Sequence, residues 1–483
     1  MESDLHQTVL AILGVLVVAV ASAPAAAELT VTVSRAVPIV GEQVTLGARC
    51  TGEALPDGLS IDLSLSVGSE HTDLGSHEAA PQEDGSLQGT MPWTPRIDGF
   101  HRVLAAARIG GEMVEVERTI PVVRRPLHFV WYGSGPELRW ATAITPPPKE
   151  PQLQRMWRDR GVLQLAWKGA KLAADRDMAQ YWLQFGDADG IAIDEIGAYD
   201  RLPAAEERAG RALDALGGFK EGAPEGFLAV WNAGSLTAMA ANAYRQHADL
   251  VMLEAYRQYV RGAFNTHSFY DYIDQRVLMA RRMDVLDRCV VGLGITDAYG
   301  GVTEAEVRRS VEHVRLVAPE MPGIAWFRYA GPERVDPAVL RAADEAAMEY
   351  FLRPCLMVRE WDLQFVPGRP GRLCANVHNI GGMDARDVAV AFYRGHPDSG
   401  GSLIGRVDMP MLHAPRGWRE EYEKLPPEEA KSLAFGVREA SVPWSPQGRA
   451  SEVWTRIWAP EATLLSDLAH RRMWTPNEVE MSR

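Results

Sequence analysis

A chain of 483 residues is too long for one ordinary core, and its size suggests about two to four domains. With 46% hydrophobic and 24% charged residues it has the composition of a folded globular protein. A formal net charge of -14 sets aside nucleic acid and anionic membrane surfaces as main partners and fits a neutral or cationic ligand.

The first residues read as a secretory signal. An apolar run over 8–21 is followed by the small residues Ala25-Ala26-Ala27, although Glu2 and Asp4 stand where Lys or Arg is usual. The run is short for a membrane span and no later stretch is long enough. The expectation is a signal peptide at 1–27, a secreted, periplasmic or cell-surface protein, and no stable membrane span once the signal is removed. An uncleaved anchor is the alternative. Cys50, Cys289, Cys355 and Cys374 contain no Cys-x-x-Cys pair, which argues against a zinc cluster. Cys355 and Cys374 could bridge in an exported protein; free buried thiols are the other reading.

Residues 28–125 are patterned as all β. Leu29-Thr30-Val31-Thr32-Val33 alternates, as does Ser60-Ile61-Asp62-Leu63-Ser64-Leu65, and Gly110-Gly111 separates two alternating runs as a hairpin. Short strands at this spacing predict an immunoglobulin-like β-sandwich. After Arg125-Pro126 apolar strands alternate with helical stretches, the pattern of a parallel sheet. Strands are expected near 128–132, 139–145, 162–167, 190–195, 227–232, 250–254, 290–295 and 324–328. Helices are expected near 175–185, 204–216, 236–247, 270–285, 303–317 and 337–350. Eight strands over 126–352 predict a TIM-type (β/α)8 barrel; without the second strand, which has almost no room for a helix before it, the sheet would hold seven. From 353 to 468 the pattern returns to β. A Glu- and Pro-rich stretch at 416–431 reads as an exposed insertion, and 469–483 as a loosely ordered tail. The fold class is therefore multidomain: a central barrel between N- and C-terminal antiparallel β-sandwiches.

Two barrel strands end in acids. Ile191-Ala192-Ile193-Asp194-Glu195 ends in a pair, and Val251-Met252-Leu253-Glu254 in one. Burying an unpaired carboxylate is costly, and strand C-termini are where such barrels keep their chemistry. Branched residues suit the outer face against the helices, so alternation turns Asp194 and Glu254 toward the barrel axis. Strands two apart lie roughly 10 Å from each other, close enough for their carboxyls to reach the roughly 5–9.5 Å of glycosidase pairs. Asp194 and Glu254, with Glu195, are the candidate catalytic residues. The bland reading is that these acids cap turns or pair with Arg257 or Arg328.

The other strand ends are aromatic or polar. Trp131, Tyr132, Trp167, Lys168, Trp231, Asn232, Tyr256, Arg257, Asp297, Tyr299, Trp326 and Arg328 are the candidate substrate-binding residues. Flat rings stack on the C–H faces of sugars, and polar groups meet the hydroxyls. No HExxH, GxSxG or P-loop sequence occurs, and Gly292-Leu293-Gly294 reads as close packing rather than a dinucleotide fingerprint. No cofactor and no metal is expected; a metal on Asp194, Glu195 and Asp297 is the alternative use of the same acids.

The segment Asp189-Gly190-Ile191-Ala192-Ile193-Asp194-Glu195 is similar to the acid-tipped strand of several glycoside hydrolase-like TIM barrels of secreted bacterial proteins. The layout on strands four and six resembles the α-galactosidase clan and the polygalactosaminidase-like barrels, over about half the chain. It departs from the chitinase pattern, which carries further acids where this chain has Phe185-Gly186-Asp187-Ala188. Asn379-Ile380-Gly381, with Trp444-Ser445-Pro446, resembles the adhesion-type modules called CARDB. The resemblance implies a carbohydrate substrate, a nucleophile or electrostatic role for Asp194, an acid/base role for Glu254, and sandwiches that dock the barrel or bind a cell surface or glycan. A non-catalytic glycan-binding or cell-surface scaffold with a degenerate barrel is the alternative.

Overall fold

The computed structural model describes residues 27–474 except 54, 134–137, 171–176, 187, 197–204, 257–267, 297–301, 329–334, 369 and 446–449. The expected signal peptide up to Ala26, Arg257, Asp297 and Tyr299 lie outside the described residues. No described helix is long and apolar enough to cross a membrane.

The N-terminal sandwich is built from β1 (Glu28–Val33), β2 (Val44–Thr51), β3 (Ser60–Val67), β4 (Glu70–Glu78), β5 (Ala80–Pro81), β6 (Leu87–Trp93), β7 (Gly99–Ile109) and β8 (Glu112–Val122). They form two four-stranded sheets, ordered β1-β2-β6-β5 and β4-β3-β7-β8. The inward residues Val31, Leu46, Ile61, Leu63, Val103 and Ile120 make its core. As the alternation predicts, β7 and β8 pair antiparallel across Gly110-Gly111.

The next eight strands close a parallel barrel. They are β9 (His128–Tyr132), β10 (Ala143–Thr145), β11 (Leu163–Gly169), β12 (Gly190–Ile196), β13 (Phe227–Asn232), β14 (Leu250–Ala255), β15 (Cys289–Gly294) and β16 (Gly323–Phe327). The doubtful second strand is therefore real but short, pairing with both neighbours. Around them run α1 (Pro151–Asp159), α2 (Met178–Leu183), α3 (Ala205–Gly222), α4 (Ala238–His247), α5 (Phe269–Arg282), α6 (Glu304–Val317) and α7 (Pro337–Ala347). The prolines around 146–151 mask α1 in the sequence, yet Pro151 stands in its first turn, where no backbone donor is lost. Thr303 and Glu306 close a capping box on α6.

Alternation sorts the barrel side chains as expected. Ile191, Ile193, Val251 and Leu253 pack outward against the helices, while Ala192, Ala229, Met252, Val290 and Ala325 fill the interior.

The second sandwich uses β17 (Cys355–Met357), β18 (Leu363–Val366), β19 (Arg372–Asn379), β20 (Ala385–Arg394), β21 (Ser402–Leu412), β22 (Val437–Pro443), β23 (Ala450–Trp458), β24 (Thr463–Ser466) and β25 (Leu468–Trp474), with α8 (Pro427–Phe435) between β21 and β22. One expectation is corrected here: the tail begins later, because β25 completes a sheet against β23. Of the two readings of Cys355 and Cys374, free buried thiols are the one seen. The insertion is largely exposed, as expected, and holds α8 and a small core of Tyr422, Ala430 and Ala434. Asn379 is buried at the centre of this domain; its amide donates to the Met383 and Leu412 carbonyls and its oxygen accepts from Cys355 and Gly381.

Three arginines join the domains. Arg118 donates to the carbonyls of Asp159 and Arg160, both at 3.0 Å. Arg124 bridges Asp98 of the first sandwich and Asp384 of the second, each at 3.0 Å. Arg315, on α6, reaches the Tyr350 and Ile380 carbonyls.

Candidate active site

At the C-terminal end of the barrel, Asp194 is 7% exposed and Glu254 is 4% exposed. Both project inward, following Ala192 and Met252 on their strands. Asp194 is held by three donors. Tyr132 Oη donates to Oδ2 at 3.0 Å and Trp167 Nε1 to the same atom at 2.9 Å; the Glu195 backbone N–H donates to Oδ1 at 2.9 Å. Burial pushes the Asp194 carboxyl above its ordinary range; the Trp167 and Tyr132 donors oppose this, and the Glu195 charge adds to it.

The local backbone is unusual. Ile193 and Ile196 face Val230 and Asn232, so the acid pair forms a bulge on β12. Glu195 sits at φ 62, the left-handed region that a glutamate seldom adopts. The bulge turns the exposed Glu195 side chain out at the rim and keeps Asp194 over the interior.

Tyr132 is where the acids meet electrostatically. Burial first, and then the charges of Asp194, Glu254 and Glu195, drive its phenol far above the ordinary value, so it remains a proton donor. Glu254 also raises Tyr272 of α5, behind burial as the main cause. Asp194, from strand four, is therefore hydrogen-bonded to this phenol, and the charge of Glu254, from strand six, also acts on it.

An aromatic floor lies under this group. Phe327 touches Tyr132 (4.6 Å between centroids), Trp231 (6.0 Å) and Tyr256 (4.8 Å, stacked at 25°). Trp231 meets Tyr132 edge-on at 5.2 Å. A Cβ on Gly292 would lie 2.4 Å from the Trp231 ring, so the glycine makes room for the indole. Among the expected mouth aromatics that are described, Trp167 alone stays substantially exposed, at 38%.

Several expected binding residues are elsewhere. Trp131 and Trp326 point outward into the strand–helix layer and are fully buried, because they alternate with the inward Tyr132 and Phe327. Asn232 also faces the helices, where its amide donates to the Gly234 carbonyl and its oxygen accepts from Tyr244. Lys168 lies over the Tyr181 ring of α2 at 4.2 Å rather than over the mouth. Tyr256 and Trp231 are brought to the site as buried floor. Arg328 follows Phe327 at the rim, with its backbone N–H on the Tyr132 carbonyl at 3.0 Å. The sequence reading missed Phe327 and Thr145, the inward end residues of β16 and β10; applying the same alternation to those strands would have found them. Thr145 is fully buried and its hydroxyl has no hydrogen-bond partner among the described residues. Among the described residues no three His, Cys, Asp or Glu gather to hold a metal ion.

No family model matches the chain, and no curated protein matches it. Solved structures that overlap it include an FMN-binding beta-glucuronidase from Facaelibacterium prausnitzii L2-6, at 10% identity and a TM-score of 0.32, covering 90% of this chain and 73% of that one. Bacteroides uniformis beta-glucuronidase 2 overlaps at 10% identity and a TM-score of 0.31, covering 92% of this chain and 60% of its own, so this chain spans less than two thirds of that protein. A Paenibacillus sp. cycloisomaltooligosaccharide glucanotransferase overlaps at 10% identity and a TM-score of 0.29, covering 92% of this chain and 71% of its own. Overlaps this weak leave the chemistry to the site's own residues.

Proposed function

We propose that the barrel mouth binds a saccharide and hydrolyses a glycosidic bond, with Asp194 and Glu254 as the working carboxyl pair. The observation that carries this is that two buried acids, from the fourth and sixth strands, turn into the same barrel end above an aromatic floor, with Asp194 hydrogen-bonded to Tyr132. Asp194, gripped by three donors, suits the ionised role: attack on the anomeric carbon, or activation of the water that attacks it. Glu254 suits the protonated role, giving its proton to the departing oxygen as the C–O bond breaks. Trp167 offers an open ring for stacking while its N–H orients Asp194.

Binding without cleavage is the second reading. It is favoured by the engagement of both Asp194 oxygens by protein donors. A glycan panel separates the two. Wild type is expected to release product, and Asp194→Asn and Glu254→Gln to lose at least about a hundredfold in turnover. Undiminished turnover in both variants removes these roles; retention of a glycan by wild type with no product released favours the second reading. Export is read from the N-terminal apolar run alone, and a mature N-terminus at Glu28 on secreted protein is its check.

A further inference from the structure

The segment between β21 and β22 has a core of its own. Tyr422, Ala430 and Ala434 are buried together, with Leu425 and Leu433 packed against them. What this core supports is a pair of open rings: Trp418 is 54% exposed and Phe435 is 57% exposed. The rings are nearly parallel, at 22°, with centroids 6.5 Å apart. Both are held in place. Tyr422 braces Trp418 edge-on, with centroids 6.4 Å apart. The backbone N–H groups of Arg416 and Gly417 donate to the Leu433 and Ala434 carbonyls at 3.0 and 3.1 Å, which fixes the approach to Trp418 against the last turn of α8. Gly436, at φ 65, ends the helix immediately after Phe435.

We propose that Trp418 and Phe435 form a saccharide-binding platform separate from the barrel mouth. Two flat, rigid and similarly oriented rings match the C–H faces of sugar residues, and the exposed Arg419, Glu420 and Glu421 beside them in the chain supply partners for hydroxyls. A protein partner fits the patch poorly. Each ring leaves on the order of 100 Å² open, whereas a stable interface buries roughly 800 Å² on each side. The platform also lies far from the acids. Arg416 Nη2 is 3.8 Å from Asp384, the residue that binds Arg124 just before the first barrel strand, so the segment is anchored at the opposite end of the barrel. Such a site would hold a polymer on the protein while the mouth works on it. The choice of a saccharide rests on the glycan reading of the barrel; the ring geometry does not.

The test is native affinity electrophoresis of the full chain in gels containing soluble β-glucan, xylan, mannan or galactan, in the Asp194→Asn background so that no polymer is consumed. Retardation is expected in at least one gel, with dissociation constants rising about tenfold for Trp418→Ala and again for Phe435→Ala. Trp418→Phe, which keeps a flat ring, should retain most of the binding, and melting curves should show every variant folded. No retardation in any gel overturns the proposal. So does retardation that survives loss of both rings, which places the binding elsewhere. A concentration-dependent dimer abolished by the same substitutions assigns the patch to self-association and also overturns it. Ring-dependent retardation from a protein that hydrolyses nothing supports the platform and counts against the barrel reading alone.

Discussion

Three donors converge on the Asp194 carboxylate, and two of them are side chains that can be removed without emptying the site. Tyr132→Phe and Trp167→Phe each delete one bond to Oδ2. Both donors stabilise the ionised form, so either substitution raises a carboxyl that burial has already raised. If the ionised form is the active one, the acidic limb of the kcat/KM profile moves to higher pH in both variants; a limb that stays in place removes Asp194 as the titrating group. Glu195 belongs to the same scale. Its left-handed backbone costs about 1–3 kcal/mol unless the surroundings enforce it. Glu195→Gly relieves that strain, so the expected result is a higher Tm together with lower turnover. Asp194 and Glu254 were legible in the sequence because period-two alternation assigns faces locally. The bulge and the φ of Glu195 were not, because no nearby residue type signals them.

Among the elements, β9, β13, β14 and β16 decide what the mouth contains. Alternation places Tyr132, Trp231, Glu254 and Phe327 inward and sends Trp131, Asn232 and Trp326 to the helices. Choosing aromatics by their position at strand ends, without parity, accounts for the misplaced ones. One tight constraint at the mouth is β15 against β13. Gly292→Ala puts a methyl 2.4 Å from the Trp231 ring, and overpacking of this kind costs about 1–3 kcal/mol. Trp231 supports Tyr132, so Gly292→Ala should lower both Tm and turnover; a variant that melts and works like wild type shows that the ring has room to move. One element was hidden and one left in doubt for ordinary reasons. Proline at the start of α1 reads as loop punctuation, and β10 has only three residues, too few to show a clear period.

For the whole molecule, the junction of the three domains is electrostatic. Asp98 is 5% and Asp384 2% exposed at the side chain, and both close on Arg124. Burial pushes Asp384 upward, but the His413 ring close beside it, a hydrogen bond from the Ala414 backbone N–H and the charge of Arg124 prevail and hold it below the ordinary carboxylate range. Its contribution is therefore present above the unfolded value and lost as pH falls through the folded one. Arg124→Met leaves two buried carboxylates facing each other, at a cost of about 3–5 kcal/mol. Calorimetry should then show the two sandwiches melting apart from each other, and a single unchanged transition would place the coupling elsewhere. His128 sets a second acid limit. Burial, and then the Arg35 charge, hold its imidazole down at about 4 against an ordinary 6.5. Folding favours the neutral ring, so stability present above 6.5 declines as pH falls toward 4, and His128→Phe should lose that part of the decline. The sequence by itself determined the succession of sandwich, barrel and sandwich and the inward turn of both acids, because hydrophobic periodicity and strand parity are properties of neighbouring residues. The tertiary structure decided that Tyr132, Trp167 and Phe327 share one mouth, that Trp418 and Phe435 lie side by side, and that one arginine ties the two sandwiches together, because each of those contacts depends on barrel closure or on packing between segments far apart in the chain.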